Sequence, residues 1–83
     1  MKIQTCIQNY LNSVKLSRSA NTYRTYANAM KLFTGVLEKN GLDVETAEVS
    51  ALSEDAVIWM ATALKDFSSA TEQVYMTAAV GLY

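Results

Sequence analysis

The sequence predicts an all-α domain, a compact four-helix orthogonal bundle, and three observations support this fold class. Apolar residues recur at intervals of three and four along most of the chain, which is the period of helices with one buried face. No pattern of alternating apolar and polar residues is long enough to compete as a strand. The 83 residues include no proline and three glycines, and 51% of them are hydrophobic. One small domain over residues 1–83 is therefore expected.

Helices 1 and 2 are predicted from regular apolar stripes and from local start and stop signals. Helix 1 is expected over roughly residues 2–16, and its stripe consists of Ile3, Ile7, Tyr10, Leu11 and Val14. Helix 2 is expected over roughly residues 20–39, because Ser19 can act as its N-cap and Asn40-Gly41 can form a left-handed C-terminal stop. The stripe of helix 2 consists of Tyr23, Tyr26, Met30, Phe33 and Leu37.

Residues 42–52 are predicted to form a loop with at most one helical turn, which Val49 and Leu52 anchor to the core. Helix 3 follows, since Ser53 is an N-cap and the two acidic residues after it place negative charge at the positive end of the helix dipole. Its stripe predicts a helix end near residue 67 and consists of Val57, Met60, Ala61, Leu64 and Phe67.

Helix 4 is predicted to begin at a capping box formed by Ser69 and Glu72. It reaches Tyr83 without a stop signal, so we expect the chain to be part of a longer protein. The larger apolar residues on several sides of this helix are Val74, Met76, Val80 and Leu82. Because such a helix is too apolar to face water on one side, a further part of the protein or a partner is expected to cover it.

Composition excludes several classes of protein and site. A single cysteine, Cys6, cannot form an internal disulfide, so we expect an intracellular protein. No apolar run approaches the roughly 20 residues of a membrane helix, and the first residues lack the features of a signal peptide. The chain has no histidine, no glycine-rich phosphate loop and no metal-ligand spacing. No cofactor, metal or catalytic site is therefore expected.

Charge is distributed unevenly along the chain, although the net charge is −1. Up to Leu37 there are five basic residues and no acidic one, and after Leu37 there are two basic and eight acidic residues. The two parts therefore carry charges of +5 and −6. Such asymmetry indicates a surface that faces a polyanion, unless the charges mix when the two parts pack together.

The starts of helices 2 and 4 repeat one pattern of hydroxyl and tyrosine residues. The pattern, Ser-x-x-Thr-x-x-x-Tyr, begins at Ser19 and again at Ser68. Hydroxyls and unpaired backbone amides at a helix start can donate hydrogen bonds to a phosphate. The same pattern is also consistent with two helices that are merely capped alike.

One face of helix 2 carries long basic and amide side chains and no carboxylate. The residues that a helical wheel places opposite the core-facing Tyr26 are Asn21, Arg24, Asn28 and Lys31, with Thr25 at the edge. In helix 4 the corresponding wheel directs Gln73 and Thr77 outward. Such side chains contact phosphates and purine edges in a major groove. Polar faces are also ordinary on solvated helices, but those faces normally mix both signs of charge.

In its ordered set of core and cap residues, the chain resembles the N-terminal core-binding, SAM-like domain of phage integrases and other tyrosine recombinases. The resemblance covers essentially the whole chain and rests on Tyr10-Leu11, the Ser19 pattern extended by Met30 and Phe33, Val49, Leu52 and the Ser68 pattern. It implies a DNA-binding domain of a mobile element that clamps one side of duplex DNA for integration and recombination. A C-terminal catalytic domain of the same protein would close on the other side.

The resemblance also implies a set of contact residues and a setting. Contacts in the major groove are implied for Asn21, Arg24, Thr25, Asn28, Lys31, Gln73 and Thr77. Phosphate contacts at the helix starts are implied for Ser19, Thr22, Ser69 and Thr71. The parent protein would oligomerise on DNA in the cytoplasm of a prokaryote. The chain departs from the family, whose members are often distinctly basic, in its acidic second half and its isoelectric point near 5.2.

Catalysis is not expected in this chain. The family uses a nucleophilic tyrosine assisted by arginine, lysine and histidine residues of the catalytic domain. The tyrosines of this chain that fall on buried stripes, where a phenol serves packing, are Tyr10, Tyr23, Tyr26 and Tyr75. The alternative to a DNA-binding domain is a small helical protein–protein interaction module whose contact surface is Trp59, Ile58 or the apolar length of helix 4.

Overall fold

The structure, a computed structural model, describes residues 1–82 as a bundle of four α-helices. In chain order they are α1 (Ile3–Ser17), α2 (Ala20–Lys39), α3 (Glu54–Ala63) and α4 (Ser69–Leu82). One turn of 3₁₀ helix, Val49–Ala51, lies between α2 and α3. The described residues form no strand, only an isolated bridge between Lys2 and Glu48. The all-α class with four helices is confirmed; Tyr83, the predicted end of helix 4, lies outside the described residues.

α2 is the central helix of the bundle and packs against α1, α3 and α4. The Cα radius of gyration is 12.1 Å, close to the roughly 12 Å expected for a compact chain of this length. The largest fully buried side chains are Phe33, Ile3, Met30, Leu37, Met60 and Leu64. Ala78 and Ala79 of α4 are also buried, and their small side chains allow α4 to lie close against the other helices.

α2 begins and ends where its cap residues predict. Ser19 has an extended backbone, and its Oγ accepts a hydrogen bond from the Thr22 N–H at 3.2 Å. At the other end the Asn40 side chain donates to the Val36 carbonyl at 2.8 Å. Gly41 follows with a φ of 91°, a left-handed conformation that glycine adopts without steric cost. Both predicted signals are therefore confirmed.

The predicted end of helix 3 is wrong. α3 ends at Ala63, not near residue 67. The Leu64 N–H is shared between the carbonyls three and four residues back, and the Lys65 N–H donates only to the carbonyl three residues back. The Phe67 N–H then donates to the Leu64 carbonyl at 2.9 Å. These tighter bonds turn the chain towards the start of α4. Leu64 stays in the core, whereas Phe67 is 41% exposed instead of continuing the buried stripe.

The predicted capping box at the start of helix 4 is also wrong. The cap is Ser68, whose Oγ accepts a hydrogen bond from the Thr71 N–H at 3.3 Å and whose carbonyl accepts one from the Glu72 N–H at 2.9 Å. Ser69 is then the first residue of the helix. Glu72 lies one position too far along to return a hydrogen bond to the cap, since a capping box needs its acid three residues after the cap.

Tyr10 joins three helices through its aromatic ring. The ring stacks on Tyr26 of α2 with 6.2 Å between the ring centroids. Its hydroxyl faces Gly81 of α4, where a Cβ atom would lie 2.6 Å from the Tyr10 oxygen. Burial, with a further contribution from the Tyr26 phenol, raises the pKa of Tyr10. A raised pKa keeps the phenol protonated, which suits a packing role.

The segment between α2 and the 3₁₀ turn clasps the first turn of α1, which the sequence analysis did not predict. The Ile3 N–H donates to the Ala47 carbonyl at 3.0 Å, and the Gln4 N–H donates to the Val44 carbonyl at 2.9 Å. Both N–H groups lie in the first turn, where a helix has no internal partner for them. The clasp therefore satisfies amides that would otherwise need water.

The predicted anchors of this segment are only partly right. Leu52 packs against the core as predicted. Val49 is half-buried and does not belong to the core cluster. The deeply buried residue is Val44, with 5% of its surface exposed, because the clasp draws this part of the segment down onto α1.

Glu48 binds two charged groups at the start of the described chain. Its Oε2 lies 2.8 Å from the Met1 amino nitrogen, and its Oε1 lies 2.9 Å from the Lys2 Nζ. Hydrogen bonds from the amino group and from Lys2 lower the pKa of the Glu48 carboxyl from 4.5 to about 2. A carboxyl with a lowered pKa stabilises the fold fully above its unfolded pKa, and this stabilisation is lost as the pH falls towards the folded pKa.

We expect Glu48→Gln to reduce stability at about pH 6 but much less at about pH 2, because near the folded pKa of about 2 the carboxyl becomes protonated in the folded chain as well as in the unfolded chain. The measurement is the urea midpoint of the parent and variant chains at both pH values. Glu45→Gln is the matched control, since the exposed Glu45 side chain forms no ion pair within residues 1–82. An equal loss at both pH values would contradict the ion-pair geometry.

Candidate nucleic-acid interface

The outer face of α2 is formed by basic and amide side chains, as the helical wheel predicts. Asn21, Arg24, Asn28 and Lys31 are all exposed. Arg24 and Lys31 are seven residues apart, so they point in nearly the same direction about 10 Å apart along the helix axis. Thr25, at the edge, is half-buried, and its hydroxyl donates to the Asn21 carbonyl at 3.0 Å. The proton of the Thr25 hydroxyl therefore already forms a hydrogen bond within α2.

The cations of this face are not neutralised by neighbouring carboxylates. Within residues 1–82, both ion pairs of the structure involve Glu48, with Met1 and Lys2. Within residues 1–82, ion pairing between the basic and acidic parts of the chain is therefore confined to that contact, and neither Arg24 nor Lys31 has a carboxylate oxygen within 4.0 Å. An exposed pair of cations without ion pairing is the arrangement that favours binding of a polyanion.

The two helix starts have the same geometry. The Ser19 Oγ donates to the Thr22 Oγ1 at 3.0 Å, and the Ser68 Oγ donates to the Thr71 Oγ1 at 2.9 Å. In each case the threonine N–H donates back to the serine oxygen. The serine protons are thus engaged. At each helix start, the first two backbone N–H groups and the threonine hydroxyl can still donate hydrogen bonds to a phosphate.

The predicted contact residues of α4 lie on a separate surface. Ser69, Gln73 and Thr77 are exposed and line one shallow depression of about 740 Å³ on the outer side of α4. Glu72 and Val80 line the same depression, so it is less basic and more apolar than the face of α2. The Thr77 hydroxyl donates to the Gln73 carbonyl at 2.8 Å. The residues predicted on α2 and α4 are therefore not brought into one pocket.

A second depression, between α2 and the α3–α4 turn, contains residues that sequence reasoning missed. This groove of about 570 Å³ is lined by Asn28 and Lys31 from the predicted face and also by Lys39, Phe67 and Tyr75. Lys39 lies within about 20° of the direction of Asn28 on a helical wheel, three turns further along α2, so a longer wheel could have found it. Phe67 could not have been found, because it was predicted to be buried. We call this depression the α2 groove.

Within the described residues no cluster of three or more metal-ligating side chains occurs. No helix among residues 1–82 is both long and apolar enough to cross a membrane. Comparisons of the chain with protein-family models, curated proteins and solved structures found no match. The charge and shape of the surfaces described above are therefore the features that bear on function.

Proposed function

We propose that the chain is a DNA-binding domain similar to the core-binding domain of a tyrosine recombinase. The observation that carries the proposal is the outer face of α2, where Arg24 and Lys31 are exposed, unpaired with any carboxylate within residues 1–82, and flanked by Asn28. Duplex DNA presents closely spaced phosphates to such a face, and counterion release would supply much of the affinity. The ordered motif that resembles the recombinase family supports the same assignment.

The proposed contacts have different roles. Arg24 and Asn28 would contact base edges in the major groove, since arginine pairs with guanine and asparagine with adenine. Lys31 would contact phosphate and set position rather than sequence preference. The helix starts at Ser19 and Ser68 would bind phosphates through their free backbone N–H groups. In this proposal a C-terminal catalytic domain of the parent protein supplies the recombination chemistry, and the parent oligomerises on DNA.

The second candidate function is a protein–protein interaction module, and exposed apolar side chains favour it. Ile58 of α3 is 60% exposed, and Val80 and Val74 of α4 are 54% and 40% exposed. Trp59, which was predicted as part of such a surface, is half-buried and packs against the core. An interaction surface would therefore lie on α4 and Ile58. The two functions use different faces, so a residue-resolved experiment separates them.

The experiment is an amide NMR titration of the chain with a mixed-sequence duplex at about 0.05 M and about 0.2 M salt. We expect shifts on Ser19 to Lys31 that are large at low salt and much smaller at high salt, with weaker shifts at the start of α4. Polyglutamate of matched charge is the control for binding to any polyanion. Absence of shifts on α2 with duplex at low salt, or equal shifts with polyglutamate, would contradict the proposal.

A further inference from the structure

Gly35 is an unexplained glycine in the middle of α2. It has no left-handed backbone conformation, and a Cβ atom placed on it would have no atom within 4 Å apart from its two chain neighbours and the adjacent backbone of its own helix. Neither backbone geometry nor packing therefore requires glycine here. A glycine inside a helix destabilises it relative to alanine, by about 1 kcal/mol. Open space above an exposed helical glycine is what a ligand needs in order to approach the backbone closely.

Gly35 forms part of the floor of the α2 groove, one turn from Lys31 and one turn from Lys39. The other described lining residues include no carboxylate, and neither lysine forms an ion pair within residues 1–82. The far wall is aromatic: the Phe67 and Tyr75 rings lie 6.1 Å apart at an interplanar angle of 51°. The groove thus combines an aromatic wall, a floor that has no side chain at Gly35, and two lysines.

We infer that the α2 groove binds a short segment of single-stranded DNA, with one unpaired base against Phe67 and the sugar-phosphate backbone over Gly35 between Lys31 and Lys39. Aromatic side chains that stack bases beside a positively charged groove are the common arrangement of single-strand binding. Lys31 and Lys39 are about 12 Å apart along the axis of α2, so they can contact two separate phosphates of one strand, whereas a mononucleotide offers only one. Asn28, at the rim, can form hydrogen bonds with a base edge.

This inference goes beyond the proposed duplex face and shares only Asn28 and Lys31 with it. Arg24 belongs to the duplex face and does not line the groove, whereas Gly35, Lys39 and Phe67 line the groove and are not on that face. Variants can therefore separate the two sites. If the chain does not bind duplex DNA, the inference about single-strand binding in the groove still stands. If the groove does not bind a single strand, the proposal of duplex binding by the outer face of α2 still stands.

The experiment measures fluorescence anisotropy of a labelled single strand of about 12 nucleotides and of a labelled duplex, at low salt. Gly35→Leu fills the floor, Phe67→Ala removes the stacking ring, and Lys39→Gln removes one cation. We expect each to weaken single-strand binding about fivefold or more while changing duplex binding less than about twofold. Lys15→Gln is the matched control for charge, since Lys15 lies on α1 with its Nζ over the Tyr23 ring of α2, and it does not line the groove.

Stability is measured in parallel so that unfolding cannot imitate a loss of binding. Because leucine is a far better helix former than glycine, Gly35→Leu should raise Tm by several degrees, about 4 °C or more. Weaker single-strand binding by a more stable chain would support the groove. Unchanged single-strand binding in Gly35→Leu and Phe67→Ala, no binding by the parent chain, or equal competition by free deoxyadenosine monophosphate at the same nucleotide concentration would each overturn the inference.

Discussion

Phe33→Ala should remove a large part of the stability of this domain. Phe33 is fully buried on α2, the helix that packs against the other three. Truncation of a buried phenylalanine costs about 3–5 kcal/mol through lost burial and the cavity left behind. A domain of this length is expected to have only about 4–12 kcal/mol in total. We therefore expect Tm to fall by about 12 °C or more, measured by far-UV circular dichroism.

The matched control is Phe67→Ala, the same substitution at the other phenylalanine. Phe67 is 41% exposed and meets the Tyr75 ring at 6.1 Å, so its truncation leaves no closed cavity and removes less burial. Its urea midpoint should lie much closer to that of the parent chain. Equal destabilisation by the two substitutions would contradict the placement of Phe33 at the centre of the core and of Phe67 at the surface.

The helix boundaries that could be predicted from the sequence are those set by local interactions. Ser19 caps α2 through an atom three residues away, and Gly41 ends the same helix through its own backbone dihedral. Such signals lie within one turn of the boundary that they determine. The end of α3 could not be predicted in this way, because the apolar stripe continues to Phe67 while the chain must already turn to reach the cap of α4.

Interactions between distant segments were missed for a related reason. The hydrogen bonds from α1 to Val44 and Ala47, and the ion pairs of Glu48, join residues at least 40 positions apart. Nothing in the local pattern of an acidic loop indicates which amides it will satisfy. The contact of Gly81 with the Tyr10 hydroxyl is of the same kind, since a glycine near the end of a helix is ordinary without knowledge of its neighbour.

The candidate interface was predictable on one helix and not between helices. A single helical wheel correctly places Arg24, Asn28 and Lys31 on the exposed side of α2. It cannot show that Gln73 and Thr77 line a different depression, or that Phe67 stands across a groove from Lys31. Those relations depend on how α3 and α4 pack on α2. The tertiary structure was therefore needed to distinguish the outer face of α2 from the α2 groove.

The double variant Arg24→Glu/Lys31→Glu should abolish most duplex binding. Each side chain is exposed and free of ion pairs within residues 1–82, so reversal replaces two attractive contacts with two repulsive ones and leaves the core untouched. We expect duplex affinity to fall at least about thirtyfold at about 0.1 M salt. In the neutral variant Arg24→Gln/Lys31→Gln, the slope of log affinity against log salt should become shallower by about 2.

The matched control for this reversal is Lys15→Glu/Lys65→Glu, which changes the net charge of the chain by the same amount at two exposed positions outside the α2 face. If only the overall field of the protein mattered, both double variants would weaken duplex binding alike. We expect a decrease of less than about threefold for the control, since neither lysine belongs to that face and charges that do not contact the DNA are weakened by screening over roughly 10 Å at this salt concentration. Equal losses would remove the α2 face as the DNA-binding surface, whereas a loss confined to Arg24 and Lys31 would assign duplex recognition to α2.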